Sequence, residues 1–425
     1  MKQNILPFKL GKTSEKITSH AGLSLFGEFL HSLNVLDQID INLPKPGSRA
    51  GYDPSKFVEP LLLMLHGGGR TLEDLREIRN DTGLRNLLEI PEMPSSDATG
   101  DWFRRVGQGS GIDGLGDVNE IQIRRALNKE SRSEYTLDID ATQIVAEKEG
   151  AQKTYKGEIG YMPMVGHLAE NGLIIGDEFR NGNESPSSRN LEFIKDCASK
   201  MPKGTRISNV RADSAAYQAR IINWCEENNI KFTIGGDKDK AVVSAIKEIP
   251  DEDWRSFRDG HIAETVHALN KTFQAFRLIV IRRPMQEDMF KSGDLNHRYT
   301  VIVSNRDEAA EETIKWYNRR GDTSENRIKE LKIGFGMERM PCGTIEANAV
   351  YFRIGVLAYN LFVLFKILSL PSSWKKHQVQ TLRWRLYQTA GKVVSHSGYL
   401  YLKVRDHLFE LFDEVRTRCR EFVSV

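Results

Sequence analysis

The stretch Trp316-Tyr317-Asn318-Arg319-Arg320-Gly321-Asp322-Thr323-Ser324-Glu325-Asn326-Arg327-Ile328-Lys329-Glu330-Leu331-Lys332 carries the most information in this chain. Glu325 and Lys332 are seven residues apart, close to two helical turns, so on a helix both share one face. A carboxylate and a cation on one face suit a site that holds a metal ion beside a phosphate backbone. Two acidic strand ends lie upstream. They are Leu137-Asp138-Ile139-Asp140-Ala141-Thr142 and Val210-Arg211-Ala212-Asp213-Ser214.

Between and around these blocks the pattern is that of an α/β sheet. Glu134 to Asp140 alternates as a strand does, and Gln143 to Glu147 reads as a second strand. Tyr161 to Ala169 and Leu173 to Phe179 form a hairpin about the turn pair Asn171-Gly172. Helix 189–201, strand 206–212, helix 215–228 and strand 231–235 follow, an order that fits a sheet whose first strands are antiparallel. Residues 237–305 then read as a β-rich insertion, with strands at 263–269, 273–282 and 298–304. The helical pattern resumes at Glu308, and Asn348 to Leu368 is a long apolar helix.

Residues 1–130 read as helical, with helices at 21–36, 54–65, 71–79 and 83–88 and one capped by Ser95 or Ser96. With Arg70, Arg76, Arg79, Arg85, Arg104 and Arg105, this region is either a helix-turn-helix DNA reader or a helical bundle with surface arginines. Residues 371–425 read as basic helices, at 375–390 and 401–422. Lys375, Lys376, Arg383, Arg385, Lys392, Lys403 and Arg405 are interleaved there with Trp374, Trp384, Tyr387, Tyr399 and Tyr401, and no acid falls between Lys375 and Arg405. Such a segment grips phosphates and stacks on bases, or is a solvated basic face with its aromatics in the core.

With 425 residues the chain has room for two or three domains, and 40% hydrophobic with 28% charged residues is a globular balance. A net charge of +2 does not by itself announce nucleic acid. No run of eighteen apolar residues occurs, and the stretch around Val356 to Leu368 contains Asn360 and Lys366, so it reads as a buried helix. Met1-Lys2-Gln3-Asn4 has no hydrophobic signal core. Cys197, Cys225, Cys342 and Cys419 form no Cys-x-x-Cys pair, so a zinc site is not expected.

The chemistry rests on Asp140, Asp213 and Glu325. Converging carboxylates repel one another and lose solvation, and divalent cations remove that cost. Mg²⁺ takes hard oxygen ligands, and two such ions serve phosphodiester chemistry. Alone, a strand-end Asp is a turn cap and a helix Glu is solvated. Asp138 rivals Asp140 because alternation puts both on one face, and Asp322 rivals Glu325.

The order Asp140, Asp213, Glu325 resembles the DDE triad of bacterial insertion-sequence transposases. Tyr317, Arg320, Glu325 and Lys332 resemble the tyrosine-arginine-glutamate-lysine signature of the branch with a β-strand insertion before the glutamate. The blocks Asp140-Ala141-Thr142, Arg211-Ala212-Asp213-Ser214 and Glu325-Asn326-Arg327-Ile328-Lys329-Glu330 are similar to those of insertion-sequence family thirteen-eighty. So are Leu61 to Arg85, Asn348 through Leu361 and Thr381-Leu382-Arg383. One spacing departs: the signature usually has three residues between Arg and Glu, and here Gly321 to Ser324 make four, which a bend at Gly321 would absorb. The choice between Arg319 and Arg320 therefore stays open.

The resemblance implies a ribonuclease H-like α/β core, 131–236 and 306–370, interrupted by the insertion at 237–305. A helical DNA-binding domain at 1–130 and the C-terminal region at 371–425 would flank it. It implies a DNA transposase that cuts transposon ends and joins the 3′-hydroxyls to target DNA. Asp140, Asp213 and Glu325 would hold two Mg²⁺ ions, with Mn²⁺ as a substitute. Tyr317, Arg320, Lys332, Arg319, Arg383 and Arg385 would contact DNA, and Trp254 or Trp316 would receive a flipped base unless each is core. The implied partners are terminal inverted repeats and target DNA as duplexes, with a homodimer bridging two ends and no membrane. The implied location is the bacterial cytoplasm, at the nucleoid. A nuclease that cuts without joining, or a DNA-binding protein that no longer cuts, are the alternatives.

Overall fold

The computed structural model describes residues 8–47, 51–284, 297–321 and 325–423. The chain divides into two compact units, one of residues 41–44 and 100–364, the other of residues 1–40, 45–99 and 365–425.

The larger unit is built on a mixed nine-stranded sheet. In chain order its strands are β1 (Glu134–Ala141), β2 (Met164–Leu168), β3 (Ile174–Glu178), β4 (Arg206–Ala212), β5 (Lys231–Gly235), β6 (Arg255–Phe257), β7 (Gly260–His267), β8 (Phe276–Pro284) and β9 (His297–Ser304). Their order in space is 6-7-8-9-5-4-1-2-3. β1, β4 and β5 run parallel, and every other neighbouring pair is antiparallel. The expected hairpin about Asn171-Gly172 is present as β2–β3. The β-rich segment after residue 237 makes no sheet of its own: β9 pairs with β5, so its four strands extend the central sheet.

β1 sits between β4 and β2, and Tyr135 to Ile139 are all buried. A strand covered on both faces is largely apolar, so a charge within it needs a partner. The helix Ala219–Glu227 crosses between the parallel strands β4 and β5. An apolar cluster of Phe257, Ile262, Ile279, Ile281, Ile302, Ala310 and Ile314 seats the helix Ala310–Arg320 on the extended half of the sheet.

The helix Ile345–Leu368 is long and apolar enough to cross a membrane by composition alone. However, 83% of its most apolar window is buried, which is the behaviour of a core helix. Two of its polar residues are satisfied in place. Asn360 accepts from the Ile174 N–H at 2.8 Å and donates to the Ile174 carbonyl at 2.8 Å and to Asn119 at 2.7 Å. Arg353 donates to Asp177 Oδ2 at 3.0 Å and to the Asp177 carbonyl at 2.7 Å.

The smaller unit packs Ala21–Ser32, Pro54–Gly67 and Asp406–Val423 with shorter helices. Leu33 leaves the expected helix 21–36, and Asn34 turns left-handed at φ 50°, so the helix stops at Ser32. Pro54–Gly67 ends at Gly68 in the left-handed conformation expected of its glycine run. The two C-terminal helices expected at 375–390 and 401–422 are both present but shorter, the first as Val379–Leu382 running into a π-helical turn, Arg383–Tyr387, and the second as Asp406–Val423. A β-hairpin, β10 (Gly391–His396) and β11 (Tyr399–Lys403), lies before the last helix, and β10 also pairs with Ile17–Thr18. The Ser397-Gly398 pair, with φ of 53° and 82°, supplies the tight turn that the basic, aromatic composition concealed.

Candidate active site

Asp138 and Asp140 alternate along β1, and Arg211 and Asp213 are likewise two residues apart at the end of the neighbouring parallel strand. The register pairs Asp138 with Arg211. Arg211 donates to both oxygens of Asp138, at 2.6 and 2.7 Å, and both side chains are buried. The Arg211 guanidinium also donates to the Trp316 carbonyl at 2.8 Å. This pair ties β1, β4 and the helix Ala310–Arg320 together. Asp138 is thereby engaged by a neighbouring strand, while Asp140 stands one step nearer the open strand end.

Asp140 meets Arg320, whose guanidinium is 3.3 Å from Oδ2 and donates to the Ile139 carbonyl at 3.1 Å. Burial pushes the Asp140 carboxyl up to about 6. Arg320 opposes that rise, and the negative charges of Asp213 and Glu325 add to it. Asp213 and Glu325, the other two acids expected from the sequence, are thus each within electrostatic reach of Asp140. Among the described residues, however, no group of three His, Cys, Asp or Glu side chains is close enough to hold one metal ion.

Asp213 directly follows β4. Its Oδ1 accepts from the Ala215 N–H at 3.1 Å, so it also caps the turn Ser214–Ala216. Tyr317 fixes the same corner, its hydroxyl donating to the Ala212 carbonyl at 3.2 Å. Gly235, at the end of β5, leaves room for this: a Cβ there would stand 3.2 Å from the Tyr317 hydroxyl and 3.0 Å from the Ser214 nitrogen.

Gly321 and Glu325 both carry helical dihedrals, φ −57° and −61°. The bend expected at Gly321 is therefore absent at that residue. Asp322, the rival of Glu325, lies outside the described residues. Asn326–Lys329 is helical, and Glu330–Gly334 widens into a π-helical turn that carries Lys332. Glu325 and Lys332 both line a cleft of about 290 Å³, together with Asp140, Thr142, Lys329 and Glu338. Lys332 donates to the Gln143 carbonyl at 2.7 Å, and burial holds its ammonium below the usual lysine range.

The remaining expected contacts fall elsewhere. Arg319 is exposed on its helix. Trp316 has the guanidinium of Arg306 at 4.1 Å and that of Arg211 at 4.6 Å from its ring centre, and buried Trp254 has Arg282 at 4.2 Å. Both rings are packed against the protein's own cations. In the smaller unit Arg383 is buried and donates to the Leu65 and His66 carbonyls at 2.6 and 2.9 Å, closing the last turn of Pro54–Gly67. Arg385 is exposed. Of the N-terminal arginines, Arg85 donates to the Arg79, Ile90 and Pro91 carbonyls, while Arg70, Arg76, Arg79, Arg104 and Arg105 are exposed.

Sequence reasoning passed over Arg211 and Arg327. The first was signalled by the repeated two-residue spacing on β1 and β4. The second donates to the Leu168 and Ala169 carbonyls at 2.9 and 2.7 Å, holding the β2–β3 turn, and nothing in its spacing announced that.

A family model described as transposase DDE domain group 1 matches residues 7–418. Among solved structures, the chain is similar to piggyBac transposase, seen by cryo-electron microscopy in a synaptic complex with hairpin DNA. The TM-score is 0.48 and the identity 12%, over 97% of this chain and 87% of that one. None of the curated proteins matches the chain.

Proposed function

Because the chain belongs to the transposase DDE domain group 1 family, we propose that it cleaves the ends of a mobile DNA element and joins the freed 3′-hydroxyls to target DNA. The observation that carries this reading is the cleft lined by Asp140, Glu325 and Lys332, where burial raises the Asp140 carboxyl, Arg320 opposes the rise, and the charges of Asp213 and Glu325 add to it. A cluster of anions that raises its own proton affinity favours a divalent cation in the proton's place. All three donors are hard carboxylate oxygens, which fits Mg²⁺, with Mn²⁺ as a substitute.

Asp140, Asp213 and Glu325 would hold two metal ions once drawn closer together than they stand here. When bound, the metals supply charge stabilisation to the attacking and leaving oxygens of a phosphodiester. In the cut, a water oxygen bonds to phosphorus as the bond to the 3′ oxygen breaks, and that oxygen leaves as a hydroxyl. In joining, the 3′-hydroxyl attacks a target phosphodiester, and a target 3′ oxygen leaves. Lys332 places a cation in the cleft beside Glu325, where a phosphate would dock. Arg320 holds Asp140 and would exchange that contact for a phosphate. Tyr317 orients the corner that carries Asp213.

Strands β1 to β5 in the order 3-2-1-4-5, the first three antiparallel and the last two parallel to β1, support a ribonuclease H-like core. The blocks around Asp140, Asp213 and Glu325 support a place in insertion-sequence family thirteen-eighty. We assign the exposed arginines of the N-terminal helices to reading the transposon ends, and a homodimer to bridging two of them.

The test is to mix the protein and Mg²⁺ with labelled duplex taken from the flanks of its own gene. Joined products are expected. Nicks without joining would point to a nuclease, and shifted but uncut DNA to a binding protein. Asp213→Asn is expected to abolish cutting while keeping end binding, and unchanged cleavage by that variant would sink the assignment.

A further inference from the structure

The β10–β11 hairpin exposes aromatic rings that its own unit does not use. Its register pairs Lys392 with Lys403, Val394 with Tyr401 and His396 with Tyr399. These six residues share one face, because side chains alternate along a strand. At its base the opposite face turns inward: Val393 is buried, and a Cβ on Gly391 would stand 2.8 Å from the Ala21 side chain, while Ser395 and Leu400 near the turn are exposed. On the outer face Tyr399 is 70% and Tyr401 47% exposed. β11 is also an edge strand of its sheet.

We propose that this outer face is a stacking platform for unpaired nucleobases of a DNA strand. The inference rests on the reading that the protein acts on DNA. Two features select the occupant. The first is charge: residues 375–405 contain seven Lys and Arg and no Asp or Glu. Lys392 is held by Glu15 at 2.5 Å, while Lys403, Arg405 and His396 are exposed around the two rings. That field attracts a polyanion and opposes a second copy of the same hairpin. The second is spacing. Residues two apart on a strand are attached about 6.8 Å from each other. This is about twice the 3.4 Å rise of stacked bases, so one base fits between the rings. Bases in an intact duplex already stack on their neighbours, whereas unpaired bases offer their faces to aromatic side chains.

The experiment measures binding of the full chain to a fluorescent oligothymidine strand and to a duplex of equal length, in EDTA so that no cutting intervenes. Tyr399→Ala with Tyr401→Ala is expected to weaken single-strand binding about tenfold or more for each ring and to leave duplex binding unchanged. Tyr→Phe at both positions is expected to restore it, since stacking needs the ring and not the hydroxyl. Unchanged single-strand binding, equal loss on both DNAs, or loss of self-association in sedimentation would each overturn the proposal. Wild-type protein that stacks single strands but never cuts its ends would sink the transposase reading and leave this one standing.

Discussion

Arg211 and Asp138 close a buried, two-bond ion pair between neighbouring parallel strands, with N···O distances of 2.6 and 2.7 Å. Each charge is tolerable there only because of the other. Replacing Arg211 with Met would leave a buried carboxylate without its cation and is expected to cost about 3–5 kcal/mol. Joining it with Asp138→Leu is expected to recover most of that loss. Thermal unfolding of the three variants checks both outcomes.

Tyr317 holds the Asp213 corner through one hydroxyl bond to the Ala212 carbonyl. Tyr317→Phe removes that bond and little else, so stability is expected to fall by about 1 kcal/mol. End cleavage is expected to slow while end binding stays the same. Parallel cleavage and gel-shift assays decide this, and weakened binding would instead give the hydroxyl to DNA.

Lys332 reaches the cleft from a π-helical turn. If it meets a phosphate, Lys332→Met lowers the cleavage rate by about tenfold. It also reduces the slope of log affinity against log salt by about one. Titration of end binding at several salt concentrations reads the second effect, and an unchanged slope argues for a structural lysine.

His167 sits on β2, fully buried, with neither ring nitrogen bonded. Burial, with the positive charges of Arg327 and Arg320, lowers its pKa from 6.5 to about 3. As pH falls through 6.5 the unfolded chain takes up a proton that the folded chain refuses. Stability from the neutral ring is therefore complete above 6.5 and lost progressively towards 3, at up to about 1.4 kcal/mol per pH unit. His167→Met is expected to flatten this dependence between pH 6 and 4 in urea unfolding followed at a series of pH values.

What was legible in the sequence is local. Alternation marked β1, Asn171-Gly172 marked the β2–β3 turn, and the Gly67 run marked a helix end, because strand period and positive φ depend on the residue and its neighbours. The places of Asp140 and Asp213 at strand ends were visible for the same reason. The β10–β11 hairpin was not: its turn, Ser397-Gly398, is flanked by basic and aromatic residues that suit a helix face equally well.

Tertiary structure alone decided the partners. Asp138 and Asp140 are indistinguishable by alternation, and only the register of β1 against β4 gives Arg211 to the first, while Arg320 meets the second. Whether Arg383 faces solvent or a helix end, and whether Trp316 is open or packed against guanidinium groups, also depends on residues far away in the chain. Charge and residue type, written in the sequence, determine what chemistry a side chain can perform. Burial and pairing, which arise only when distant segments meet, decide which of those side chains remain available to perform it.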